Sequence, residues 1–139
     1  MKAECVLDAG VLAYAVSSAP SEAARKRKAI ELIKRADFGL STAILEEFYV
    51  TVTTRFRKPL APATAMALLD EYRIFPVVGT DYPMIASAVE LSLLHGLSYR
   101  DASALAAARA IEARILYSSA FGAGRVFDGI QVLDPFAGI

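Results

Sequence analysis

Three carboxylates stand where an α/β chain could use them for chemistry: Asp8, Glu47 and Asp101. Asp8 closes the apolar run Cys5-Val-Leu7, which reads as a buried strand, so the acid falls at that strand's carboxyl end. In an open α/β sheet, ligands bind in the crevice beyond the carboxyl ends of the strands. An acid there is either a cap for the next segment or a site residue. Glu47 lies on a helix expected to start at Ser41 or Thr42 and to run to about Arg55. At 100° per residue, Ile44, Leu45, Phe48 and Val52 share one direction. Glu46 points nearly opposite and reads as solvated, whereas Glu47 falls on the flank and can reach inward along the edge of the core. Asp101 follows Ser98 at the spacing of a capping box, in which the acid bonds back to the cap residue. Each acid thus has a structural account of its own: a turn at Asp8, a partner for Arg55 or Arg57 at Glu47, a cap at Asp101.

Taken together they carry more. Clustered carboxylates repel one another and lose hydration, so they persist where a cation compensates. An all-oxygen set points to Mg²⁺ or Mn²⁺. The single histidine, His95, sits beside Gly96 at an expected helix end and reads as a surface or cap residue. A carboxylate-held Mg²⁺ most often works on phosphates, activating water and offsetting charge on phosphoryl oxygens. The three acids meet in one crevice if the chain order of the sheet reverses beside the first strand.

The elements that would position them alternate. Gly10 loosens the turn after Asp8, and Val11–Val16 reads as a short helix. Pro20 opens a helix running to about Ala36, with Ala23, Ile30 and Ile33 inward. Asp37-Phe-Gly-Leu40 is a link with room for a small strand. Pro62 to about Tyr72 is a helix burying Ala65, Leu68 and Leu69. Ile74–Val78 is a β-rich run whose Pro76 puts it late or at an edge. A helix capped by Thr80 or Asp81 and ended by Gly96 turns Ile85, Ala88, Val89, Leu91 and Leu93 to the core. Ser98 opens an alanine-rich helix to about Ala113. The strand Arg114–Ser118, a loop over Phe121–Gly124 and a last strand Ile130–Leu133 complete the chain. Alternation without a hairpin signal predicts α/β architecture, a parallel sheet between helical layers, in one domain over residues 1–139.

Composition narrows the classes. With 55% hydrophobic residues the 139-residue chain can build a core, which excludes a disordered segment. No run approaches the ~20 apolar residues of a membrane span, and Glu4 falls where the apolar part of a secretory signal would begin. The lone Cys5, in an apolar run, suits a core thiol in a reducing compartment, hence the cytoplasm. Net charge is zero, yet residues 25–58 hold nine basic and four acidic side chains, a local +5 against −5 elsewhere. That asymmetry suggests a face for a polyanion, with the run Arg25–Lys28 equally explained as a solvated helix face.

Four stretches resemble the PIN-domain family, in particular the VapC-like toxin ribonucleases of type II toxin–antitoxin modules. They are Val6-Leu-Asp8, the segment Leu40 to Thr54 around Glu47, Leu97-Ser-Tyr-Arg-Asp101-Ala, and Gly129-Ile-Gln-Val-Leu-Asp-Pro-Phe136. The resemblance implies a three-layer α/β/α fold on a five-stranded parallel sheet, a Mg²⁺ or Mn²⁺ site, cleavage of single-stranded RNA and homodimerisation. It also implies a small antitoxin partner that blocks the site. Carried over by motif, the catalytic and metal-holding acids are Asp8, Glu47 and Asp101. Arg25, Lys28, Arg55, Arg57 and Lys58 become candidates for RNA contact. Two departures stand out. The family usually follows its first acid with a hydroxyl residue and Asn, where this chain has Ala9-Gly10. It also has an acid after the fourth strand, where this chain has Ser118-Ser119-Ala120; Ser119 remains to hold a metal-bound water, and Asp128 substitutes only if its loop folds back. Losing such supports costs about 10–100-fold in affinity or activity. The rival reading is therefore an impaired PIN domain serving as a binding or dimerisation module. A receiver-type phospho-acceptor domain fits less well, because Gly79-Thr80 stands where its acid would follow Val78.

Overall fold

Strand β1 (Cys5–Leu7) is the axis of the sheet, and all three of its residues are buried. Such a strand shows no polar alternation because helices cover both of its faces. The computed structural model describes residues 1–121 and 124–139. Along the chain follow α1 (Ala9–Ala15), α2 (Ala23–Lys34), β2 (Phe38–Ser41), α3 (Thr42–Val50) and α4 (Pro62–Tyr72). Then come β3 (Val77–Val78), α5 (Tyr82–His95), α6 (Tyr99–Ile111), β4 (Ile115–Tyr117), β5 (Val126–Phe127) and β6 (Ile130–Leu133). The sheet order is β3-β2-β1-β4-β6-β5. Val6 pairs with Gly39 on one side and Leu116 on the other, both in parallel register.

The chain therefore steps outward from β1 through β2 to β3, then crosses back to place β4 on the other side of β1. Right-handed crossovers put α1 to α4 on one face and α5 with α6 on the other, in line with the packing of α1 on α2 and α3 and of α5 on α6. These are the three layers expected. The strand count differs: six form rather than five, and the edge strand β5 runs antiparallel to the rest. β5 and β6 make a hairpin closed by Asp128 (φ 50°) and Gly129 (φ 81°). Positive φ at both central positions is the demand of a two-residue hairpin turn, which Asp-Gly meets well. The centre of the expected Phe121–Gly124 loop, residues 122 and 123, lies outside the described residues.

Two helices bury different faces from those expected. In α2 the buried side chains are Ala29 and Leu32, Ile30 and Ile33 lie at the edge, and Ala23 is exposed. In α5 only Met84, Ala88 and Leu91 are buried; Ile85, Val89 and Leu93 face outward, Leu93 at 82% exposure. The sequence holds more apolar positions on α5 than its contact with α6 can cover. Helix starts agree better. Asp8, Ser41, Asp81 and Ser98 each accept from the amide three residues on, at 3.0–3.2 Å. Each such cap typically stabilises by ~1 kcal/mol. Gly10 is not a turn residue, since α1 begins directly after Asp8. Cys5 is a core thiol: burial, helped by Asp37, pushes it up to about 12. No helix among the described residues is long and apolar enough to cross a membrane. His95 packs edge-on against Phe127, with ring centroids 4.9 Å apart, rather than standing at the surface.

Candidate active site

The switch in chain order between β1 and β4 opens a crevice at the carboxyl ends of those strands. A cavity of about 350 Å³ lies there, and Asp8, Glu47 and Asp101 all line it. Asp8 arrives at the end of β1, where its amide donates to the Tyr117 carbonyl at 3.1 Å and extends the β1–β4 ladder. Its carboxylate accepts from the Val11 amide, so it is both the cap of α1 and a wall of the crevice. Glu47 projects from the second turn of α3. Asp101 enters from the first turn of α6, whose cap is Ser98. The return bond of a capping box, from Asp101 to the Ser98 amide, is not formed among the described hydrogen bonds, which leaves its carboxylate to the cavity.

Burial in the crevice disfavours charge on two of its acids. Burial pushes the Asp8 carboxyl above the usual carboxylate range, against the pull of the Ser118 hydroxyl, the Val11 amide and Arg100, and Asp101 adds to the rise. Glu47 is likewise raised by burial, opposed chiefly by Arg100 and then raised further by Asp8. Arg100 is the residue that sequence reasoning missed. Its guanidinium forms an ion pair with Glu47 through Nε and Oε1, with the Glu47 side chain 22% exposed and that of Arg100 60%. A signal was present: a cation in the first turn of a helix opposes the macrodipole and needs a partner to offset it. Among the described residues no three acids are already close enough to grip an ion without movement. The donor chemistry nevertheless fits Mg²⁺ or Mn²⁺, being three carboxylates from three elements with a hydroxyl beside one of them.

That hydroxyl belongs to Ser118, not Ser119. Side chains alternate along an extended chain, so Ser118 shares the side of buried Leu116 and lines the cavity, while Ser119 is exposed. Glu46, read as fully solvated, is exposed but stands on the cavity rim. The basic candidates divide. Arg55 lines the cavity and also a second cleft of about 480 Å³, together with Arg57, Lys58 and the turn Ser18–Glu22. It is delivered there by the π-turn Thr51–Arg55 that ends the α3 helix, where Thr53 and Thr54 bond back to the Tyr49 and Val50 carbonyls at 2.6 Å. π-turns recur at functional sites. Arg25 and Lys28 line neither cavity. Arg25 lies over the Tyr14 ring at 5.7 Å, and Lys28 faces Glu31 at 3.8 Å. Asp128 is held by Arg109 at 2.8 Å and supplies no fourth acid.

No curated protein matches the sequence. Among solved structures, the chain is similar to the Mycobacterium tuberculosis toxin VapC20, which cleaves the sarcin–ricin loop. That match has a TM-score of 0.67 and 19% identity, over 82% of this chain and 88% of the other. It is also similar to a chain of FitAB bound to an IR36 DNA fragment, with a TM-score of 0.65 and 16% identity over 94% of each chain. At such identities the likeness speaks for the fold alone. The family model for the PIN domain matches residues 5–119, a span that holds Asp8, Glu47, Asp101 and Arg100. The chain belongs to the PIN-domain family.

Proposed function

We propose that the protein is a metal-dependent endoribonuclease acting on single-stranded RNA, the toxin of a toxin–antitoxin pair. The observation that carries this reading is the convergence of Asp8, Glu47 and Asp101 on one cavity at the switch point of the sheet. In this reading those three residues hold Mg²⁺ or Mn²⁺, which supplies water activation and charge compensation at the scissile phosphate. Ser118 stands beside Asp8 in the cavity and its hydroxyl favours the charged carboxylate. Arg55 stands where the cavity meets the Arg57–Lys58 cleft, so the backbone of the strand leaves the site along a basic path. The partners are a small antitoxin and a second copy of the chain. An apolar groove between α3 and α4, walled by Leu45, Tyr49, Met66 and Leu69, is open to an antitoxin's apolar segment.

The test is cleavage of single-stranded RNA with Mn²⁺ or Mg²⁺, beside EDTA and Asp8→Asn controls. Cleavage is expected only in the metal-loaded wild type. Activity that survives in both controls, or is absent from all samples, overturns the nuclease reading. The second reading, a binding module on a PIN scaffold, is favoured by the Arg100–Glu47 pair and by Ser118-Ser119 in place of an acid. It predicts a stable antitoxin complex without cleavage.

A further inference from the structure

The Arg100–Glu47 pair is out of place for a helix start. Arg100 occupies the first turn of α6, where the helix dipole repels a cation. Tyr99, Arg100 and Asp101 all line the same cavity, so the guanidinium is not placed on an outer helix face. It is also the largest favourable charge influence on Glu47 and acts on Asp8 as well. One cation therefore serves an acidic pocket in the way a bound metal would. A unit charge a few ångströms away matters even with solvent screening. A carboxylate already held in an ion pair is less available as a metal ligand.

We propose that Arg100 is a built-in counter-ion that yields Glu47 when a divalent cation is taken up, and that the freed guanidinium then grips a phosphate of the bound strand. This rests on the metal-site reading above. The side chain is long and more than half exposed, so it can leave Glu47 without disturbing the core, and guanidinium suits phosphate oxygens. Arg100 thereby couples metal uptake to strand binding.

The experiment measures two affinities on the full-length protein. Mn²⁺ is titrated calorimetrically into metal-free wild type, Arg100→Gln, Arg100→Lys and Asp8→Asn. Arg100→Gln is expected to bind Mn²⁺ about tenfold more tightly than wild type, and Arg100→Lys, which keeps the charge, to stay near wild type. A short single-stranded RNA, checked for intactness after each titration, is then bound with saturating Mn²⁺ and, separately, with EDTA. Arg100→Gln is expected to weaken strand binding in Mn²⁺ and to leave it unchanged in EDTA, where Arg100 is tied to Glu47. Equal Mn²⁺ affinity in wild type and Arg100→Gln, with binding lost in Asp8→Asn, overturns the counter-ion role and leaves the metal site standing. A strand-binding loss that is the same with and without Mn²⁺ overturns the exchange. No Mn²⁺ binding by wild type or Arg100→Gln overturns the metal reading, and this proposal with it.

Discussion

Asp8 has to cap α1 and carry charge in a place where burial opposes charge. Its carboxyl is raised above the ordinary carboxylate range of ~4, so the fold favours the protonated form. Well below that range both folded and unfolded chains hold the proton, and the site carries no penalty. As pH rises, the unfolded chain releases its proton first, so stability declines across the window between the ordinary value and the raised one. Metal-free wild type should therefore lose thermal stability, relative to Asp8→Asn, as pH rises from mildly acidic to neutral. Asn keeps the cap and removes the charge, so its Tm at neutral pH in EDTA should exceed that of wild type, by roughly 3–5 °C for each kcal/mol relieved. Saturating Mn²⁺ should reverse the order, since only the native wild-type site binds it. Thermal melts across pH, with EDTA and with Mn²⁺, check both halves. A Tm for Asp8→Asn below that of wild type in EDTA would sink the account of Asp8 as a charge held at a cost. The acid's position could be read from the run Cys5-Val-Leu-Asp8; its burial could not, because that depends on β4 and α6, more than 90 residues away in sequence.

At the scale of elements, Asp101 and Arg100 are only as well placed as α6. That helix lies close over the sheet because its inner face is alanine-rich and because β2 offers it Gly39. A Cβ at Gly39 would stand 2.9 Å from Ile111 Cδ1 and 3.3 Å from Ala3 Cβ. Ile111 is fully buried, so a shift of its Cδ1 has to be taken up within the core. Gly39→Ala should therefore destabilise by about 1–3 kcal/mol through overpacking, read as a lower urea midpoint. Gly79→Ala meets nothing within 4 Å and should be neutral or slightly stabilising. Equal midpoints for Gly39→Ala and wild type would show that α6 shifts freely over the sheet. Local chemistry explains which elements were legible. The cap at Ser98 and the helix Pro62–Tyr72 are set by neighbouring residues and read directly from the sequence, and the caps at Ser41 and Asp81 are narrowed there to adjacent pairs, Ser41 or Thr42 and Thr80 or Asp81. The β5–β6 hairpin was missed although Asp128-Gly129 announces it, because its first strand is only two residues long. Arg100 was missed for another reason: its partner Glu47 is 53 positions away and reaches it only after the sheet has formed.

The outward row on α5 belongs to the whole molecule. The alternation of strands and helices made the layered architecture legible, and the switch beside β1 followed from asking three acids to meet. Which apolar residues end in the core is different, since it depends on how much surface one chain can cover. Ile85, Val89 and Leu93 recur every fourth residue and form one stripe, with Tyr82 before it and Leu94 beside it, all exposed. A contiguous apolar surface of this kind marks an interface more often than a free face. A second copy is the occupant proposed above, and a stripe on one helix can meet its own copy across a two-fold axis. Sedimentation at micromolar concentration should give about twice the chain mass of 14.9 kDa. The double variant Val89→Glu/Leu93→Glu should sediment as a single chain, because four carboxylates would then face one another across the axis. Both positions are exposed in the single chain, so the variant should keep its fold and its Mn²⁺ affinity. A wild type that sediments as a single chain, or a double variant that stays paired, would take the interface away from α5.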